Sequence, residues 1–452
     1  MKVVVVGCTH TGVAAVTQIL QEHPGTEVTV YERHDNVSFL SCGIPLYLNG
    51  EVKRLEDMFY SNPKELESLG ANVKIKHDVI KIDAEKKEVV VEDLETTEVF
   101  TDTYDKLIMA TGSSVVVPPL FGIDNSRVLL CKDYDQAREI YETAKHYHHV
   151  AIVGGGYVGV ELAESYANTD HQVTLIQGNQ QLLNNYVDEE LSNRVVKLLE
   201  DHQVEVHLNK RVQAFSVDNE EQIIIETNEN DYKADLVIVA TGFVANTELL
   251  RGQVDMTKIG AIKINEYMQS SDPNIYAGGD AAVVRYNPTG RDLYIPLATN
   301  AIRQGLLAGR NIFRDVQKNL GTQATSALQI FGNTIASSGI TLRNALHAGI
   351  NADSVLFEDD YRPNYMPSTE KIIIILVYDR DTRRVLGAQL LSKHEVAQSA
   401  NTVSVLIQNN NTIDDMAYID MLFQPHFDFP YNYLNLVAQL AVAKELKLKS
   451  KK

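Results

Sequence analysis

The chain has 452 residues, 44% of them hydrophobic, and a formal net charge of −19. That length exceeds what a single hydrophobic core organises, so about two to four domains are expected. So acidic a balance repels nucleic acid and anionic membrane surfaces, which leaves small molecules as the expected ligands.

The opening stretch MKVVVVGCTHTG has too short an apolar run for a signal peptide and reads as a buried strand entering a glycine turn. Gly7, Thr9 and Gly12 hold the three positions of a dinucleotide-binding turn, with threonine in place of the middle glycine. The strand EVTVYE then ends at Glu32, 25 residues after Gly7, near the offset at which an acid binds an adenosine ribose. Next, SFLSCGIPLYL carries Cys42 at the start of a short predicted helix, GIPLYLNG, whose N-terminus would stabilise a thiolate. The chain has only three cysteines, Cys8, Cys42 and Cys131, too scattered for a disulfide framework or a thiolate metal site. They indicate a reducing compartment, and the cytoplasm fits best.

The segment KHYHHV reads as a surface loop, and its His146, His148 and His149 have no carboxylate or cysteine nearby, so no metal is assigned. HVAIVGGGYVGVELA then repeats the plan of the N-terminus, with Gly154, Gly156 and Gly159 between strand and helix and Glu161 in the first helical turn. Its second strand, QVTLIQ, ends at Gln177 where a ribose contact belongs. YDKLIMATGSS and ADLVIVATGFV close the two repeats with the same ATG. In NIYAGGDAA, a short strand ends at Asp280, where a carboxylate beside glycines suits the hydroxyls of a ribityl chain. KIIIILVYDRDTRRVLGAQLLS reads as two strands around a polar turn, and HEVAQSANTVSVLIQN as a helix. No apolar run reaches the roughly 18 residues of a membrane span, and the basic tail KELKLKSKK reads as a frayed, solvated end.

Taken in order, Gly7 to Gly12, Glu32, Cys42, both ATG segments and Asp280 resemble the flavin-dependent pyridine nucleotide-disulfide oxidoreductase superfamily. The lone cysteine is similar to that superfamily's single-cysteine branch, which holds NADH oxidases, NADH peroxidases and coenzyme A-disulfide reductases. SFLSCGI and FQPHFDFPYNYLN look most like the water-forming oxidases, whereas Pro45 is shared more with the coenzyme A-disulfide reductases, and Tyr431 stands where oxidases and peroxidases usually have tryptophan.

The resemblance implies an α/β fold. Two Rossmann-like domains would bind FAD (residues 1–115 and 246–325) and NAD(P) (116–245), and an α+β domain (326–452) would form a homodimer or dimer of dimers. It implies a reaction of NAD(P)H with O2 through FAD and a Cys42 thiolate–sulfenic acid cycle, with His10 as base and acid. A peroxidase, a coenzyme A-disulfide reductase and a redox-sensing flavoprotein remain as alternatives. Implied FAD contacts are Gly7, Thr9, His10, Thr11, Gly12, Glu32, Ser41, Cys42, Val79, Ala110, Thr111, Gly112, Ser113, Lys132, Gly279, Asp280, Leu297, Ala298 and Thr299. For NAD(P) they are Gly154, Gly156, Tyr157, Val158, Gly159, Glu161, Gln177, Tyr186, Thr241 and Gly242, and Phe427 would reach the flavin of a partner subunit. Because Gln177 replaces the usual carboxylate, use of both NADH and NADPH is expected.

Overall fold

A computed structural model describes residues 1–450. Five parallel strands form the first sheet, in the order Ile275–Ala277, Lys106–Met109, Lys2–Val6, Glu27–Glu32 and Ala71–Ile75. The central strand, KVVVV, is a continuous apolar run because it is covered on both faces. The chain leaves this sheet after Met109 and returns to it at Ile275.

In between, a second parallel sheet is built on the same plan, in the order Val204–His207, Gln172–Ile176, His149–Val153, Leu236–Val239 and Val128–Leu130. His149 therefore opens a strand, half-buried, with its Nε2 2.9 Å from Thr174 Oγ1, and is not part of a surface loop as the sequence suggested. Each parallel sheet has a three-stranded antiparallel companion, residues 77–103 in one unit and 212–234 in the other.

The C-terminal part is a five-stranded antiparallel sheet with the order Ser326–Ile330, Asn333–Gly339, Val385–Ser392, Lys371–Asp379 and Ala352–Asp360. The helices Ala397–Gln408 and Tyr433–Lys449 pack on it. The last helix continues through most of the basic tail that the sequence reading left frayed; residues 451–452 lie outside the described chain.

Two packing features place the site. The helix Ala298–Asn311 crosses the helix His10–Glu22 so closely that a Cβ on Gly305 would lie 2.4 Å from the Thr11 carbonyl oxygen. Ser165 Oγ, on the helix Tyr157–Ala167, donates to the Pro45 carbonyl at 2.9 Å and to that of Glu161 at 2.8 Å. That pair of bonds fixes the Glu161 turn of the second unit against the short helix Ile44–Leu48 that follows Cys42.

Candidate active site

Parallel strands leave a crevice beyond their carboxyl ends, and each repeat opens a cavity there. In the second unit the chain turns sharply at Gly154, whose φ is +118° and where a Cβ would lie 2.3 Å from the Ala240 oxygen. The position of Gly156 is open, with no atom within 4 Å of where a Cβ would be, so a ligand can approach the backbone. The cavity above it, about 1390 Å³, is lined by Gly154, Gly156, Tyr157, Val158, Glu161, Gln177, Tyr186, Thr241 and Gly242, all expected from the sequence. Gly159 does not reach it. That residue packs under the turn, where a Cβ would stand 1.8 Å from the Gly154 oxygen, so its role is helix-to-strand contact rather than ligand contact.

Tyr157 and Tyr186 stack on one another with ring centroids 3.9 Å apart. Gln177 is buried, with both ends of its amide engaged: Oε1 accepts from Gly155 N at 3.3 Å and Nε2 donates to the Gln181 carbonyl at 3.1 Å. It lines the cavity with one hydrogen bond already made at each end of its amide.

The smaller cavity, about 960 Å³, belongs to the first unit and is lined by Gly7, Thr9, His10, Thr11, Glu32, Ser41, Val79, Ala110, Thr111, Gly112, Ser113, Lys132 and Asp280. Glu32 is buried at its strand end. One carboxylate oxygen accepts from Cys8 N at 2.7 Å and the other from His34 N at 2.9 Å, which pins the acid to the phosphate turn. A fixed carboxylate at a strand end, a glycine turn below it and a long cavity fit a flavin dinucleotide. Gly12 and Gly279 line neither cavity: a Cβ on Gly279 would be 2.3 Å from Thr11 Oγ1, and one on Gly12 2.1 Å from the Gly7 oxygen. Both are packing residues. Leu297, Ala298 and Thr299 line the larger cavity instead of the smaller.

The two cavities share His10, Ser41, Val115, Lys132 and Asp280 in their walls, and Cys42 opens into the larger one at that junction. Asp280 Oδ2 accepts from Ser113 Oγ at 2.6 Å and from Lys132 Nζ at 3.2 Å, and the Lys132 ammonium lies 3.9 Å from the centre of the Phe243 ring. His10 Nδ1 is 2.8 Å from the Tyr60 hydroxyl, with the two rings stacked. Burial holds the His10 imidazole below its ordinary value, Asp280 opposes this and Lys132 reinforces it, so the ring is neutral near pH 7.

The Cys42 thiol is reached by solvent through the cavity, yet the protein packed behind it withdraws enough water to raise its pKa. Glu161 and Asp280 raise it further, against Lys132 and a backbone hydrogen bond. The expected thiolate at a helix N-terminus is therefore not the resting form of the chain itself: the helix after Cys42 has five residues, too few for its dipole to outweigh burial and two carboxylates. Glu161, half-buried with Glu164 on the same helix, has its own carboxyl pushed up to about 7 by desolvation and then by the Glu164 charge. Cys8 and Cys131 are buried, and desolvation raises both thiols strongly, Cys131 to about 12.

Tyr60 and Phe243 escaped the sequence reading. Tyr60 is 50 residues from its partner His10 and no spacing rule connects them, although Phe243 directly follows the second ATG and could have been included with it. Phe427 lines neither cavity and is 62% exposed.

Comparison with known proteins gives the same outline. A family model described as pyridine nucleotide-disulphide oxidoreductase matches residues 1–305, and its dimerisation domain matches residues 326–431. An NADH oxidase from Enterococcus faecalis is 51% identical over 443 residues, 98% of this chain and 99% of that protein. The structure of a water-forming NADH oxidase from Lactobacillus brevis bound to NADH superposes with a TM-score of 0.98 at 50% identity, covering 99% of both chains. An engineered variant of that enzyme, a water-forming NADPH oxidase bound to NADPH, superposes with the same score.

Proposed function

The chain belongs to the pyridine nucleotide-disulphide oxidoreductase family and is an FAD-dependent NADH oxidase, and from that premise we propose that it carries oxygen through to water on Cys42. The observation that carries this reading is a solvent-reachable thiol at the junction of the two cavities, with the other two thiols buried. A thiol so placed can take up peroxide before it escapes.

The residues that would hold FAD are those of the smaller cavity: the turn Gly7–Gly12 for the pyrophosphate, Glu32 for the adenosine ribose, Asp280 for the ribityl hydroxyls and Lys132 beside it. Bound FAD would accept hydride from NADH and pass two electrons to oxygen. NADH would lie along the second turn, against Tyr157 and Tyr186.

The remaining chemistry is the protein's own. Neutral His10 takes the Cys42 proton, and the thiolate attacks one oxygen of hydrogen peroxide; the S–O bond forms as the O–O bond breaks, and the leaving hydroxide receives the proton back from His10 as water. Cys42 is left as sulfenic acid, and a second NADH supplies the two electrons that return it to thiol with release of the second water. The sum is two NADH, two protons and one O2 giving two NAD+ and two water.

Residues 1–115 and 246–325 form the FAD-binding part in this reading, 116–245 the NAD(P)-binding part, and 326–452 the part that pairs two copies and presents Phe427 to the partner's flavin. The enzyme works in the cytoplasm as a homodimer or dimer of dimers. It accepts NADPH as well as NADH, because Gln177 offers no charge to repel a 2′-phosphate. The engineered relative that uses NADPH was made by five substitutions, which remove an aspartate and add two arginines.

An oxygen electrode with peroxide quantification tests the water-forming step. Two NADH per O2 without peroxide is expected for the native enzyme, and one NADH per O2 with an equal amount of peroxide for Cys42→Ser. A Cys42→Ser enzyme that still consumes two NADH per O2 and releases no peroxide would remove Cys42 from the reaction.

A further inference from the structure

The nucleotide cavity of the second unit is not uniform in charge. Glu161 and Asp280 are the only carboxylate residues in its wall, and both act on Cys42, which marks their end as the flavin end. The opposite end, around Gln177, Gly178 and Asn179, has no carboxylate, and Lys210 and Arg211 join its wall there.

These two cations are held against the strand end by the backbone. Asn209 N donates to the Asn179 carbonyl at 3.0 Å and Lys210 N to that of Gln177 at 2.9 Å. Arg211 N donates to Asn228 Oδ1 at 2.6 Å, and a Cβ on Gly178 would lie 3.9 Å from the Arg211 Cα. Lys210 Nζ is already paired with Glu229. The exposed Arg211 has no carboxylate within ion-pair distance among the described residues, so its guanidinium is free while its backbone is fixed.

We propose that Arg211 is the specificity-determining residue that reads the 2′-phosphate of NADPH. A guanidinium offers a phosphate paired donors in a planar fork. Beside it stands an uncharged glutamine whose amide is bonded to Gly155 N and the Gln181 carbonyl, so no carboxylate there repels a phosphate. The assignment rests on the reading that the enzyme accepts both nucleotides, and it names the group responsible for the phosphorylated one.

The test compares native, Arg211→Ala and Arg211→Lys holoenzyme in kcat/KM for NADH and NADPH, and in calorimetric affinity for adenosine 2′,5′-bisphosphate at two salt concentrations. Arg211→Ala is expected to lower the NADPH-to-NADH ratio of kcat/KM, and the bisphosphate affinity, about tenfold or more, with partial recovery in Arg211→Lys and a weaker salt dependence than native. Equal losses with both nucleotides, or an unchanged bisphosphate affinity, would overturn the assignment. A native enzyme that uses both nucleotides while Arg211→Ala keeps its ratio removes Arg211 alone. A native enzyme that rejects NADPH a hundredfold removes the two-nucleotide reading, and the role of Arg211 with it.

Discussion

Behind burial, the charge of Glu161 on the helix Tyr157–Ala167 acts on the thiol of Cys42. The carboxyl of Glu161 ionises at about 7, and its charge is the largest electrostatic contribution raising the Cys42 thiol pKa. Below pH 7 the acid is largely neutral and leaves the thiol alone; above it, the new negative charge opposes the thiolate. Glu161→Gln is therefore expected to move the pH profile of Cys42 alkylation by iodoacetamide to lower pH, with native and variant rates diverging above pH 7. Coincident profiles at all pH would show that the two groups do not communicate. The same residue gives a stability signature of opposite sense to an ordinary acid. Its folded value exceeds the unfolded 4.5, so the folded state holds the extra proton between about 4.5 and 7, and stability contributed by this group falls as pH rises through that window. Chemical denaturation of the native protein at pH 5 and pH 7, set against Glu161→Gln, checks the sign.

At the scale of elements, the crossing of the helices His10–Glu22 and Ala298–Asn311 sets the positions of His10 and Thr11 and of Leu297 to Thr299, at the N-terminal ends of the two helices. With 2.4 Å from a Gly305 Cβ to the Thr11 carbonyl, any larger side chain must push the helices apart. Gly305→Leu is expected to cost about 3 kcal/mol or more, lower Tm by several degrees and reduce the flavin retained on purification; full flavin content with native Tm would contradict this account of the crossing. The glycine turns, the acid at position 32 and the cysteine were legible because each sits in a short strand-turn-helix pattern written in consecutive residues, although the atoms that hold Glu32 and Gly154 in place come from distant segments. Tyr60 beside His10 and Arg211 beside Gly178 were not legible, because sheet order and loop packing bring them together across 50 and 33 residues. Gln177 was placed at the right strand end, but sequence alone does not tell that its amide turns onto the backbone. The thiolate at Cys42 was expected from a helix start, a local feature, while its proton is held by burial and by carboxylates from two other parts of the fold.

Across the whole molecule, several contacts join the second nucleotide unit to the C-terminal sheet, Glu164 with Phe331 N and Arg194 with Glu358 among them, and Asp188 gathers the most hydrogen bonds at one carboxylate. Asp188 accepts from Leu342 N at 2.9 Å, Arg343 N at 3.3 Å and Gln389 Nε2 at 2.7 Å, and its own N–H donates to Gln389 Oε1 at 2.6 Å. Asp188→Ala leaves three donors without their acceptor, an expected loss of about 2–4 kcal/mol, visible as a lower thermal midpoint by scanning calorimetry. An unchanged midpoint would mean that water replaces the carboxylate without cost. The repeat of strand, turn and helix made the two nucleotide units readable from the sequence, but this joint is formed by residues about 150 to 200 positions apart and follows from no repeat.

The shared walls of the two cavities have one more consequence. Where His10, Ser41, Val115, Lys132 and Asp280 are common to both, a tenant of the smaller chamber becomes the floor of the larger. In protein stripped of its prosthetic group, the larger chamber would lose that part of its floor. Such a shared wall would favour loading the permanent guest first and the transient visitor second.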